Sequence, residues 1–242
     1  MTRFLIGIDD TDAPGGKDST NRLARQLEDR LPEGLRMWGA LGHRLNPDPV
    51  LAPTSWNTAC CVVVEGKTSA EDLLRLAADY VGDLAEANSS PGLCVIDAAE
   101  VPAALIDFGR RCCTELLTVE RAVAAAGPAR LAGLRGPTSR GLIGAVAAVG
   151  LTAEGWSGRL LEFGRLRSFP RAVSVGELMA AGILPVSISP DAERPAPTDW
   201  VDSHDWLRPR LMGGRAVLPV EKIGDGLWNT VANKKDRSEP AP

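Results

Sequence analysis

Aromatic side chains make up only 5% of this 242-residue chain, with six tryptophans, four phenylalanines and one tyrosine. Its core must therefore be built mainly from aliphatic residues. No apolar stretch reaches the roughly 18 residues of a membrane-spanning helix. Met1-Thr2-Arg3 runs at once into Phe4-Leu5-Ile6 and then an acidic cluster, which fits no secretory leader. The expected location is the cytoplasm, with no membrane partner. Cysteines are few and odd in number, Cys60-Cys61, Cys94 and Cys112-Cys113, and none stands in a CxxC spacing. Vicinal cysteines strain the peptide when they pair, so these are expected to be reduced core residues, not zinc ligands. A basic surplus is missing too. The net charge of −4 argues against unaided gripping of a polynucleotide, although Arg159, Arg165, Arg167 and Arg171 could form a local basic patch.

What is present is an alternation of strands and helices. Residues 3–8 form an apolar strand, and a helix over 20–31 follows from the leucines at 23, 27 and 31. Asp18, Ser19 or Thr20 can cap it. Residues 45–54 read as a proline-bearing loop, and 59–65 as a strand buried on both faces. A helix over 69–86, a strand over 93–96 and a largely helical 102–126, broken near Gly109, complete the first half. The glycine- and proline-rich 127–138 reads as a linker. Beyond it come a short apolar helix (140–149), strands at 160–167, 186–189 and 215–220, and a helix at 175–181 capped by Ser174. Such alternation suits a small sandwich of ferredoxin-like type. The expectation is an α/β (α+β) protein with domains at 1–135 and 136–233 and a disordered tail at 234–242. The chain shows no internal repeat and leaves room for a homodimer.

The chemistry concentrates in residues 7–20. Asp9, Asp10 and Asp12 put three carboxylates within four residues at the end of a buried strand, where they repel unless a cation neutralises them. Magnesium takes such oxygens and fills its shell with water and substrate phosphates. Gly15 and Gly16 let backbone N–H groups approach an anion, and Lys17 offsets phosphate charge. The helix opening at Ser19 and Thr20 adds N–H groups and hydroxyls, and Thr11 lies within the same turn. The bland reading is an acidic turn before a capped helix, but it leaves the strand-end acids and the Gly-Gly-Lys run unexplained. The GxxxxGK[ST] spacing of a Walker A loop is absent.

The strand followed by Asp10-x-Asp12 resembles haloacid-dehalogenase phosphatases, and the segment 224–229 faintly resembles their distal acidic motif. Pro14 stands where that family has Thr or Val, however, and the distal aspartate pair is missing. A closer likeness joins three segments. Gly7 to Thr20 is similar to a GIDDTDS–GM–TT signature, Arg44-Leu45-Asn46-Pro47-Asp48 to an RLNPN loop, and Arg140 to Gly150 to an RG(L/I)IGA(L/V)AA(I/V)G helix. In this order and spacing they resemble the archaeal isoleucine-tRNA agmatinylcytidine synthetase family.

That resemblance implies a kinase-like ATP-binding domain followed by a ferredoxin-like domain. The implied enzyme phosphorylates a cytidine carbonyl with ATP, and an amine then displaces the phosphate in a C–N ligation. The aspartates would hold magnesium, and Ser19, with Thr20 beside it, matches a threonine that becomes phosphorylated. The family's OB-fold and zinc ribbon have no counterpart in these residues, and its basic KTRGN-like segment reads Ala52-Pro53-Thr54-Ser55-Trp56-Asn57. ATP chemistry therefore carries over better than the acceptor, tRNA or a small molecule. The competing expectation is a non-catalytic nucleotide-binding module, or a subunit of a tRNA-modifying complex.

Other residues have plainer readings. Arg140-Gly141 could bind an anion or serve close helix packing. Asp202-Ser203-His204-Asp205 reads as a solvated turn, and His43 as a loop residue more than a base. Trp200, Trp206 and Trp228 serve as anchors more readily than as base-stacking platforms. Asp107, Arg110 and Arg111 form a solvent face.

Overall fold

The computed structural model describes residues 2–12, 19–46, 57–136, 139–189 and 193–231. The chain is a mixed α/β protein that divides into two compact units, residues 1–163 and 164–242. In chain order the first holds β1 (Arg3–Asp9), α1 (Thr20–Gln26), β2 (Arg36–Arg44), β3 (Thr58–Glu65), α2 (Ala70–Leu84), β4 (Gly92–Asp97), α3 (Ala103–Cys112), α4 (Val119–Ala126), β5 (Arg130–Gly133), α5 (Gly141–Glu154) and β6 (Arg159–Glu162). The second holds β7 (Ala172–Ser174), α6 (Val175–Ala180), β8 (Ile183–Ser187), β9 (Trp200–Asp202), β10 (Arg210–Met212), β11 (Arg215–Gly224) and β12 (Leu227–Thr230).

The first unit is an antiparallel sheet in the order β5-β4-β1-β3-β2-β6. Its strands alternate sides with period two. Phe4, Ile6 and Ile8 join Cys60, Val62, Val64, Leu93 and Val95 against Leu23 and Ala24 of α1 and Leu73, Ala77 and Val81 of α2. The Tyr80 hydroxyl ties the two helices by donating to the Leu23 carbonyl at 3.1 Å. Gly7 faces the other side, against the backbone of Ala145. There α5 lies on the sheet and α3 packs on α5. Nearly every residue of α5 from Gly141 to Thr152 is buried, as expected for a helix that is apolar all round.

This arrangement revises several expectations. The boundary expected near 135 falls inside the first unit, and α5 packs on its sheet. The linker expected at 127–138 contains β5, which pairs with β4 as an edge strand; residues 137 and 138 lie outside the described ones. His43 belongs to β2, paired with Ala59, not to a loop. The helical stretch breaks after Cys112, three residues past Gly109, where α3 touches α5. A Cβ there would stand 2.8 Å from the Ala147 carbonyl oxygen. The helix over 20–31 becomes a 3-10 turn from Leu27. The strand expected over 160–167 stops at Glu162, and Gly164 takes a positive φ of 49°.

In the second unit β11 is the organiser. It pairs antiparallel with β10 and β12 and parallel with β8, while β9 lies parallel to β12 and antiparallel to β7. Ser174 caps α6 through a reciprocal box with Glu177, the S-x-x-E arrangement that satisfies two open N–H groups. The segment with a faint distal phosphatase motif is the β11–β12 hairpin turn, with Gly226 at φ 65°. The tail expected at 234–242 lies outside the described residues. No helix of the described residues is long and apolar enough to cross a membrane.

Candidate functional site

The central strand β1 delivers the acidic turn to one end of the sheet. Ile8 pairs with Cys60 and Asp9 with Gly92. Asp10 then takes a left-handed conformation, φ 55°, which Asp tolerates better than most residues. Beyond it the Thr11 carbonyl accepts the Glu86 N–H at 3.0 Å. Thr11 is buried, and Asp9, Asp10 and Asp12 are half-buried.

Crowding three carboxylates here has an electrostatic consequence. The Asp9 carboxyl is pushed well above the usual range, first by loss of water and then by the neighbouring Asp10 and Asp12 charges. The Asp10 N–H opposes the shift. Asp10 is raised as well, again chiefly by burial, with the Arg140 guanidinium pulling the other way. Both carboxyls thus resist ionising without a compensating cation. Among the described residues no group of three or more His, Cys, Asp or Glu side chains is arranged to hold a metal by itself.

The start of α5 forms one wall. A Cβ at Gly144 would fall on the Asp9 carboxylate, and one at Gly141 would stand 2.6 Å from the Asp9 carbonyl oxygen. Only glycine lets the helix approach so closely, so the packing reading of these glycines holds. The Gly141 N–H donates to the Ser90 carbonyl at 3.0 Å, and the Arg140 N–H to Ser90 Oγ at 3.2 Å. The Arg140 guanidinium stands 3.8 Å from Asp10 Oδ2.

On the opposite side α1 begins at Ser19, whose Oγ accepts the Arg22 N–H at 3.4 Å. Of the three expected caps, Ser19 is the one used. The Thr20 hydroxyl donates to Asp12 Oδ1 at 3.2 Å and lies 2.9 Å from the Thr11 hydroxyl. Its one proton is directed at Asp12, so Thr11 must be the donor to Thr20. The result is a buried relay, Thr11 to Thr20 to Asp12, beside an exposed Ser19. Gly15, Gly16, Lys17 and Asp18 lie outside the described residues.

Sequence reasoning missed several neighbours. The Cys60 thiol donates to Asn21 Oδ1 at 3.2 Å and is pushed well up by burial and by the Asp9 charge. Asn57 Nδ2 donates to the Asn46 carbonyl at 3.0 Å, and the Asn46 N–H to the Cys112 carbonyl at 2.9 Å. This fastens the described part of the Arg44-Leu45-Asn46 segment to α3. Ser90 carried no signal beyond a loop serine. His43 is no base. It is buried between Thr152 Oγ1 at 2.8 Å and Ser157 Oγ at 3.1 Å, and desolvation holds its pKa down to about 3.

In the second unit Asp202 ends β9 and accepts both hydrogen bonds of the Arg171 fork at 3.2 Å, ahead of a tight turn through His204 and Asp205. Trp228 is a buried anchor whose Nε1 donates to Asp199 at 2.8 Å. Trp200 and Trp206 are exposed. On α3, Arg110 pairs with Glu154 at 2.7 Å.

No protein-family model and no curated protein matches the chain. Solved structures do. The chain is 26% identical to TiaS in its complex with an isoleucine tRNA and ATP, with a TM-score of 0.56, over 66% of this chain and 38% of that one. For TiaS with the same tRNA, AMPCPP and agmatine the identity is 25% and the TM-score 0.55, over 74% and 44%. Apo TiaS, an isoleucine-tRNA agmatidine synthetase, shares the fold at 24% identity and a TM-score of 0.54, over 65% and 37%. The chain thus spans about two fifths of the length of these proteins.

Proposed function

We propose that this relative of TiaS is an ATP- and magnesium-dependent enzyme that activates a substrate oxygen by phosphorylation and passes the activated carbon to an amine. The observation that carries the reading is the Asp9–Asp12 turn. Half-buried carboxylates are crowded at the end of the central strand, with Asp9 and Asp10 both held above the usual carboxylate range. Sequence resemblance and the ATP-bound relatives point the same way. The sequence resemblance also supports a kinase-like ATP-binding part followed by a ferredoxin-like one, with residues 136–163 grouped with the first part.

The donor set fits magnesium, which needs only one or two carboxylates when phosphate and water complete its shell. One or two of Asp9, Asp10 and Asp12 would hold it, and when bound it offsets charge on the terminal phosphates. Gly15, Gly16 and Lys17 would cradle those phosphates. The Thr11–Thr20 relay fixes one Asp12 oxygen and leaves the other to act. The Ser19 hydroxyl is exposed while that of Thr20 is committed to Asp12, so Ser19 is the better phosphoryl acceptor of the two. In the main reaction the substrate oxygen attacks the γ-phosphorus and the bond to ADP breaks. The amine nitrogen then attacks the activated carbon, loses a proton and expels inorganic phosphate.

TiaS in these complexes carries an isoleucine tRNA, which supports a tRNA acceptor. The net charge of −4 favours a small-molecule acceptor as the second reading. The Ala52-Pro53-Thr54-Ser55-Trp56-Asn57 run, without lysine or arginine, favours a third, a nucleotide-binding module without turnover or a subunit of a tRNA-modifying complex. One assay orders them. With γ-labelled ATP and magnesium, label release that tRNA stimulates supports the first, and tRNA-independent release the second. Binding without release supports the third. Asp10→Asn tolerates the left-handed backbone and removes one charge. It should cut release at least about 100-fold, the scale of a lost electrostatic contact to the reacting group, with melting unchanged. Undiminished release would exclude the assignment.

A further inference from the structure

We infer that Arg140 is a phosphate-binding residue, placed to take the terminal phosphates of ATP beside the acidic turn. This rests on the ATP reading above and deepens it.

The first observation is rigidity of placement. The Arg140 backbone is pinned to Ser90 Oγ at 3.2 Å, and the next residue, Gly141, to the Ser90 carbonyl at 3.0 Å. Gly141 and Gly144 lock this end of α5 against Asp9. The second is an uncommitted fork. The Arg140 side chain is 79% exposed, and Nη2 stands 3.8 Å from Asp10 Oδ2, beyond hydrogen-bond length. Two other arginines of this unit reach carboxylates more closely: Arg110 meets Glu154 at 2.7 Å and Arg130 meets Glu71 at 3.4 Å.

The third concerns the end of α5 itself. Its opening N–H groups are already used: Gly141 donates to Ser90, Leu142 to Ser139 and Ile143 to Arg140. An anion arriving here is not met by helix amides, so the donors must come from a side chain. A guanidinium offers two parallel N–H groups to a phosphate. Among the described residues Asp10 is the carboxylate paired with Arg140, so a divalent ion that offsets the Asp10 charge leaves the guanidinium to face the nucleotide.

The test is calorimetric titration of Mg-ATP, Mg-ADP and AMP into the unsubstituted chain, Arg140→Gln and Arg140→Lys, with melting curves for all three. Loss of a charge-assisted contact predicts about 10- to 100-fold weaker ATP and ADP binding in Arg140→Gln. AMP affinity should stay within about twofold, and melting should hold because an exposed pair this long adds little stability. Lysine should recover part of the affinity, as a point charge without the fork. Unchanged ATP affinity in Arg140→Gln, or an equal loss for AMP, would overturn the inference alone. Failure of the unsubstituted chain to bind ATP would overturn the parent reading and this inference with it.

Discussion

The buried imidazole of His43 makes a quantitative prediction about stability. Desolvation holds its pKa down to about 3 in the folded chain, whereas an unfolded histidine titrates near ~6.5. As pH falls past about 6.5 the unfolded chain takes up a proton that the native chain refuses until about 3. The stability this group contributes is therefore fully present above the unfolded value and is lost as pH falls between the two. Linkage gives a loss of about 0.8 kcal/mol at pH 6 and about 2 kcal/mol at pH 5. Urea unfolding of the unsubstituted chain and His43→Gln, side by side at pH 7.5, 6 and 5, isolates the term, because glutamine can still bond Thr152 or Ser157 but cannot titrate. The variant should be less stable at pH 7.5, and the gap should close by about 2 kcal/mol at pH 5. With only two histidines in the chain, His43 can also be followed by NMR and should not titrate above pH 4. A gap that is constant from pH 7.5 to 5 would refute the reasoning.

Two further substitutions probe the site. Gly144→Ala should destabilise or at best leave stability unchanged, where an alanine in a helix interior usually gains about 1 kcal/mol over glycine, because its methyl falls on the Asp9 carboxylate; a raised melting temperature with intact ATP binding would contradict that contact. Thr20→Val should cost about 1–3 kcal/mol by stranding the buried Thr11 hydroxyl, while Thr20→Ser keeps the relay and most of the stability, both read by urea titration.

How much was legible follows from how each signal arises. Strands β1, β3 and β4 are buried on both faces, so their apolar runs stand out, and α2 and α6 announce themselves through Ser69 and Ser174. Strand β2 reads Arg-Met-Trp-Gly-Ala-Leu-Gly-His-Arg, where two glycines, two arginines and a histidine hide a core position. Strand β5 is a four-residue edge inside a glycine- and proline-rich stretch, and β7, β9, β10 and β12 are too short for periodicity to register. The acidic turn was legible because its residues are contiguous. Its walls were not. Ser90 and Arg140 lie about 80 and 130 residues away in the chain, and only the close packing allowed by Gly92, Gly141 and Gly144 brings them to Asp9 and Asp10.

The most direct test is a crystal grown with ATP and manganese, with anomalous scattering used to locate the ion. The expected result is a manganese peak bonded to carboxylate oxygens among Asp9, Asp10 and Asp12 and to oxygens of the triphosphate, with Arg140 on the terminal phosphates. A nucleotide bound with its ion elsewhere, and those carboxylates turned to open water, would contradict it.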